Sequence, residues 1–230
     1  MAIEKTSHFL NTTDDMLGRL PPDQHKIISD FLSLRQIYSS AIRAVTTKLE
    51  ILNDEFSVVH DRNPIHHIES RLKTPQSMID KLIRKNLDIT VDSLRENLTD
   101  IAGVRVICYY INDIYLTANL LTNQDDITLL RRSDYIKNPK DNGYRSLHLV
   151  VKAPVYLSDR REDVPVEIQI RTIAMDCWAS LEHQIRYKKQ MDIPEDVLES
   201  LRSCAADIAS IDSRMQDLNA SVQQLKSGGE

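Results

Sequence analysis

Between Tyr135 and His148 the chain gathers two lysines, an arginine, a histidine and the exposed-looking tyrosine Tyr144 around the turn formers Asn138-Pro139 and Asn142-Gly143. Asn-Gly and Asn-Pro turns have local backbone reasons. The cations crowded about an aromatic ring do not. A site for a phosphorylated ring compound accounts for them: the ring stacks on tyrosine and the cations hold phosphate.

Downstream, Val164 to Arg171 alternates. Val166, Ile168 and Ile170 point one way, and Glu167, Gln169 and Arg171 the other. Ser146, His148 and Lys152 share a face of the segment after the Asn-Gly turn, and Arg105 faces away from Val104 and Val106. If these strands are neighbours, one sheet face carries Arg105, His148, Glu167 and Gln169 as the floor of a site. Asp100 stands at the mouth of the Arg105 strand. Alone it reads as a turn residue; paired with Glu167 it makes a Mg²⁺ site, since magnesium takes few protein carboxylates and fills its octahedron with water and phosphate oxygens. Two carboxylates beside cations suit phosphoryl chemistry.

Arg71, Lys73, Ser77 and Lys81 form a second cationic group. Lys73 precedes a helix start at Thr74-Pro75, where free backbone N–H groups favour anions, and Ser77 and Lys81 share a helix face. Arg71 and Arg105 have planar groups able to sandwich a purine. A solvated basic helix is the plain alternative, and Arg84 and Lys85 are assigned to it. His60, Asp61, His66 and His67 supply too few ligands, on too few helices, for a metal-dependent phosphohydrolase. His66 and His67 are expected to face opposite ways. Trp178 and His183 read as packing and capping residues, and Cys177 has no base partner.

Stepping along the chain, Ile27, Phe31, Leu34, Tyr38, Ala41, Val45, Leu49, Leu52 and Phe56 form one apolar stripe, predicting a helix from Asp23 to about Val59. A turn and strand follow over Ile65 to Lys73. Helices are expected from Thr74-Pro75 and near Val91–Leu98. Strands are expected at Val104–Tyr110, Ile127–Arg131, Leu147–Lys152 and Val164–Arg171, with a helix at Ile114–Leu121 and a charged loop at Ser158–Asp163. Ile173 to about Lys189 is helical. Pro194 opens a last helix whose Val197, Leu201, Cys204, Ile208, Ile211, Met215, Leu218, Val222 and Leu225 make a heptad seam. Its partner is either the first long helix or a second copy of the chain. Three segments are expected: an N-terminal stretch 1–22, a catalytic domain 23–190 and a C-terminal helix 191–230, which is an oligomerisation helix where its seam meets a second copy.

The 230 residues suffice for one core. A net charge of −5 argues against a general grip on nucleic acid, so anions must be held by local clusters. Cys108, Cys177 and Cys204 lack paired spacing and read as reduced, buried thiols of a cytoplasmic protein. No signal peptide or membrane span is evident.

Four stretches occur in an order that resembles the synthetase domain of the RelA/SpoT family: Arg71–Ser77, Asp100–Arg105, Lys140–His148 and Glu167–Thr172. The resemblance spans residues 25 to 225 and is nearest the small alarmone synthetases. Asn63–His67 and Met175–His183 look closer to the RelP type than to the RelQ type. It implies an α/β (α+β) fold with a nucleotidyltransferase-like mixed sheet flanked by helices. It implies transfer of pyrophosphate from ATP to the 3′-hydroxyl of GDP or GTP, releasing AMP, without hydrolase activity. On this chain Asp100 and Glu167 would hold Mg²⁺, and Glu167 would help activate the hydroxyl. Arg71 and Arg105 would sandwich adenine, and Lys73, Ser77 and Lys81 would bind ATP phosphates. Tyr144 would stack on guanine, and Lys140, Asn142, His148 and Gln169 would contact nucleotide on the acceptor side. The family implies a bacterial cytoplasmic homotetramer built through the terminal helices. In one departure, Arg131-Arg132-Ser133-Asp134 carries serine where relatives often have lysine, with Arg131 or Arg132 left to supply the charge. Two rival classes keep the fold but change the chemistry: a non-catalytic nucleotide or RNA-binding module, and an enzyme adding NMP to an acceptor.

Overall fold

A computed structural model of the chain describes residues 22–60, 62–187 and 193–227. The N-terminal stretch 1–21, Asp61 and the region around Lys189 lie outside the described residues. The elements run α1 (Pro22–His60), β1 (Ile65–Leu72), α2 (Pro75–Arg84), α3 (Val91–Asn97), β2 (Ala102–Cys108), α4 (Ile111–Thr122), β3 (Thr128–Asp134), β4 (Leu147–Tyr156), β5 (Arg161–Thr172), α5 (Ile173–Tyr187) and α6 (Glu195–Ser227).

The sheet has the order β1-β2-β5-β4-β3; β2 and β5 are parallel and the other pairs antiparallel. Its back face is apolar, because alternation sends Val104, Val106, Val166, Ile168, Ile170, Leu147, Leu149 and Val151 to one side. Helix α1 lies across this face and buries the middle of its stripe, Leu34, Tyr38, Ala41, Val45 and Leu49. Each fully buried leucine contributes roughly 1.5–3 kcal/mol. Ile27, on the expected stripe, is instead exposed. Arg62, just past α1, clamps the buried Asp113 of α4 with both guanidinium Nη atoms.

Several boundaries differ from expectation. β2 ends at Cys108, and Tyr110 becomes the N-cap of α4. The charged stretch Ser158–Asp163 is not all loop: β4 and β5 extend as a hairpin to the pair Tyr156–Arg161, since solvated charges tolerate an exposed strand end. A register shift between Ile65 and His67 places the Nδ1 atoms of His66 and His67 2.7 Å apart, so these rings do not point opposite ways. Only Cys108 is buried, its thiol pushed up to about 12 by that burial; Cys177 and Cys204 are exposed. Finally, α6 packs on α5 and α4 rather than along α1.

Candidate active site

The strand register assembles the polar face. Gly103 stands opposite Glu167, and Arg105 opposite Gln169. On one side β1 sets Arg71 opposite Gly103 and Glu69 opposite Arg105. On the other, β4 sets His148 opposite Gln169. Arg105, His148, Glu167 and Gln169 therefore share one face, as the alternation predicts. Over it lies a cleft of about 530 Å³ lined by Arg71, Lys73, Asp100, Arg105, Glu167 and Gln169 among others. That is a size suited to a small-molecule site.

Asp100 precedes β2 and is held from the β1–α2 corner. Lys73 Nζ donates to Asp100 Oδ2 at 2.8 Å and Lys81 Nζ to the same oxygen at 2.6 Å. The Lys73 backbone N–H donates to Ile101 O at 2.8 Å, tying that corner to β2. Burial opposes ionisation of Asp100, but the two ammonium groups outweigh it and hold the carboxyl below its usual range. Asp100 Oδ1 is buried with no hydrogen-bond partner. Glu167 is also held low, first by the His148 imidazole facing it, against burial, with help from Gln169; the charge of Asp100 pushes the other way. Glu167 thus feels the charge of Asp100, and the orphan oxygen of Asp100 adjoins an open cleft. That donor set fits a divalent cation completed by phosphate and water oxygens. Among the described residues no cluster of three or more His, Cys, Asp or Glu forms a metal cage.

Thr74 caps α2, accepting from Ser77 N at 3.3 Å and donating to Ser77 Oγ at 2.8 Å. The cap was legible as Thr-Pro. It leaves Ser77 in the first helical turn and Lys81 one turn on, where Lys81 reaches Asp100. Ser77 itself does not line the cleft. Arg71 is exposed on the rim, while Arg105 leans between Glu69 (3.2 Å) and Asp176 (3.5 Å).

On the far side, Tyr144 is half-buried, packed on Trp178, Ala179 and Ala205. Its hydroxyl lies 2.8 Å from His148 Nε2 and accepts from Arg171 Nη2 at 2.6 Å. Lys140 Nζ lies 4.7 Å from the Tyr135 ring centre and 4.8 Å from that of Tyr144. The ring therefore already carries a cation and is not the open platform its setting in the sequence suggests. Asn142 is mostly a brace: Oδ1 accepts from Tyr144 N at 3.2 Å, and Nδ2 donates to Glu182 Oε1 at 3.1 Å. Gly143 adopts φ +88° and lies so close to α6 that a Cβ there would meet Ala205 Cβ at 2.5 Å.

Three polar residues beside the site had no role in the sequence reading. Arg171 is buried and bonded to Tyr144, Gln169 and Asp176; the continuing alternation Glu167-Gln169-Arg171 was the available signal. Asp176 joins Arg105 and Arg171. Asp212 of α6 accepts from Thr172 Oγ1 at 2.6 Å, a contact for which the sequence offers no local signal.

A region found in RelA and SpoT proteins matches residues 70–192. The GTP pyrophosphokinase YwaC of Bacillus subtilis is 42% identical, with 87% of this chain and 95% of that protein covered. The small alarmone synthetase 1 of Bacillus subtilis bound to its product pppGpp superposes with a TM-score of 0.74 at 33% identity, covering 81% of this chain and 95% of that one. The same synthetase bound to AMPCPP gives 0.69 at 29% identity, covering 81% and 94%. With these matches spanning most of its length, and its carboxylates and cations ranged along one cleft, the chain belongs to the RelA/SpoT family.

Proposed function

We propose that the protein is a (p)ppGpp synthetase, transferring pyrophosphate from ATP to the 3′-hydroxyl of GDP or GTP and releasing AMP. The observation that carries this reading is the placement of Asp100 and Glu167 in one cleft, with Lys73 and Lys81 paired to Asp100 and with His148, bonded to Tyr144, facing Glu167. The relatives' names supply the direction of transfer: one is a GTP pyrophosphokinase, and a structural relative holds pppGpp as product.

The donor occupies the β1–α2 side. Arg71 and Arg105 are diagonal neighbours on the sheet face and flank adenine; Lys73, Lys81 and the Ser77 turn take the phosphates. Family pyrophosphokinases use a divalent metal. Asp100 and Glu167 would hold it here, as Mg²⁺, and when bound it neutralises donor phosphate charge. The acceptor base meets the Tyr144 ring as Lys140 turns from that ring to the phosphates, with His148 also toward the phosphates and Gln169 and Asn142 at the edges. Glu167, ionised at neutral pH, takes the proton of the 3′-hydroxyl. The 3′-oxygen bonds to the β-phosphorus of ATP, the bond from that phosphorus to the α–β bridging oxygen breaks, and AMP leaves.

The reading extends to assembly and place. Ile211, Met215, Leu218 and Val222 of α6 are about half exposed, an apolar seam that supports a homotetramer through the terminal helices. No helix of the described residues is long and apolar enough to cross a membrane, and we place the enzyme in the bacterial cytoplasm, nearer the RelP type. Incubation of labelled ATP with GDP or GTP and Mg²⁺ tests the reaction. AMP and a 3′-pyrophosphorylated nucleotide support it; release of inorganic pyrophosphate or absence of turnover overturns it.

A further inference from the structure

Arg171 is 4% exposed, and its guanidinium is directed at the site. Nη1 donates to Asp176 Oδ1 at 3.0 Å; Nη2 donates to the Tyr144 hydroxyl at 2.6 Å and to Gln169 Oε1 at 2.7 Å. Gln169 Nε2 donates to Glu167 Oε2 at 3.2 Å. Tyr144 meets His148 Nε2 at 2.8 Å, and His148 Nδ1 faces Glu167 Oε1 at 3.7 Å, within ion-pair reach. The five side chains close a ring. The Tyr144 oxygen accepts from Arg171 and also meets His148 Nε2, whose ring turns its other nitrogen to the Glu167 carboxylate.

A buried guanidinium is costly unless paired. Asp176 supplies the partner from the first turn of α5, where a negative charge is favoured by the helix dipole. The same oxygen, Oδ1, lies 3.5 Å from Arg105 Nη1. One carboxylate oxygen is thus shared between an arginine of the donor side and an arginine that holds the acceptor-side tyrosine. We infer that Asp176 and Arg171 are positioning residues that fix the donor and acceptor subsites relative to each other, Asp176 acting on both and Arg171 on the acceptor side alone. This rests on the pyrophosphotransferase reading for the assignment of the two sides.

The test is Asp176→Asn in the full chain, reading affinities for GDP and for a non-hydrolysable ATP analogue by calorimetry beside KM, kcat and thermal stability. Both affinities are expected to fall, by roughly tenfold, with both KM values rising to match. Tyr144→Phe is expected to weaken GDP and leave the ATP analogue unchanged. In the double variant GDP affinity falls little further than in Asp176→Asn alone, because both changes act through one contact chain. An unchanged affinity for either nucleotide in Asp176→Asn, or additive losses in the double variant, overturns the inference. Should Asp176→Asn fail to fold, Arg171→Lys is measured the same way: loss confined to GDP supports it, and unchanged GDP affinity or an equal loss for both nucleotides overturns it. A wild-type chain that binds both nucleotides but releases no AMP overturns the proposed reaction and leaves these binding comparisons intact.

Discussion

Lys81 Nζ lies 2.6 Å from Asp100 Oδ2, while the other oxygen of that carboxylate is buried without a partner. Half of the group is satisfied by protein and half is held in reserve. Asp100→Asn removes the charge that both Lys73 and Lys81 answer, and it should cut AMP release by about a hundredfold or more. The lysines keep partial access to solvent, so the melting temperature should move little. Initial rates with labelled ATP, beside a thermal melt, check this; near-normal turnover contradicts the assignment.

Gly143 meets α6 with no room for a side chain and at a φ that L-residues rarely adopt. Gly143→Ala should therefore destabilise the protein by about 1–3 kcal/mol, read as a lower melting temperature. Ala205→Gly added to it should recover part of the loss by relieving the contact and leave the backbone strain. A wild-type melting temperature for Gly143→Ala would show that the loop does not rest on α6 as described.

Burial raises the Asp212 carboxyl above its ordinary range, against the lowering effects of Thr172 and Arg145. The folded form then binds a proton more readily than the unfolded chain. Its contribution is fully present below the unfolded value of roughly 4 and is lost as pH rises through the higher folded value. Asp212→Asn keeps an acceptor for Thr172 and has no charge to lose. Its melting temperature should gain on wild type as pH rises from about 4 toward neutrality. Parallel profiles across that range would refute the sign.

The serine-for-lysine departure resolves into two differently aimed arginines. Arg131 pairs with Val150, which stands opposite Glu167, so Arg131 shares the face of the site. Arg132 turns to α4, 3.5 Å from Asn119 Oδ1 and over the Tyr115 ring. Arg131→Ala should raise the acceptor KM by roughly tenfold, the effect of one lost charge-assisted contact, and Arg132→Ala should not. Steady-state kinetics on the two variants separates them; equal effects would contradict the register argument.

Much of this was legible because the signals are local. Alternation in β5 named the site floor, Thr74-Pro75 named a helix start, and heptad spacing named α6. The rest depends on which distant segments meet. The partners Thr172 and Asp212 are 40 residues apart, and nothing near Gly143 announces that Ala205, far along the chain on the last helix, passes within contact. The cysteines read as buried because their type favours burial, yet Cys177 and Cys204 fall on exposed helix faces. Tyr144 was legible as an aromatic among cations, but its bonds to His148 and Arg171 required the sheet order.

In the proposed reaction Glu167 takes the acceptor's proton and would share the metal with Asp100. Glu167→Gln keeps the size and the contacts to Gln169 and removes the charge. With labelled ATP, GDP and Mg²⁺, this variant should fold, still bind GDP and release no AMP above background. AMP release at the wild-type rate would contradict the account.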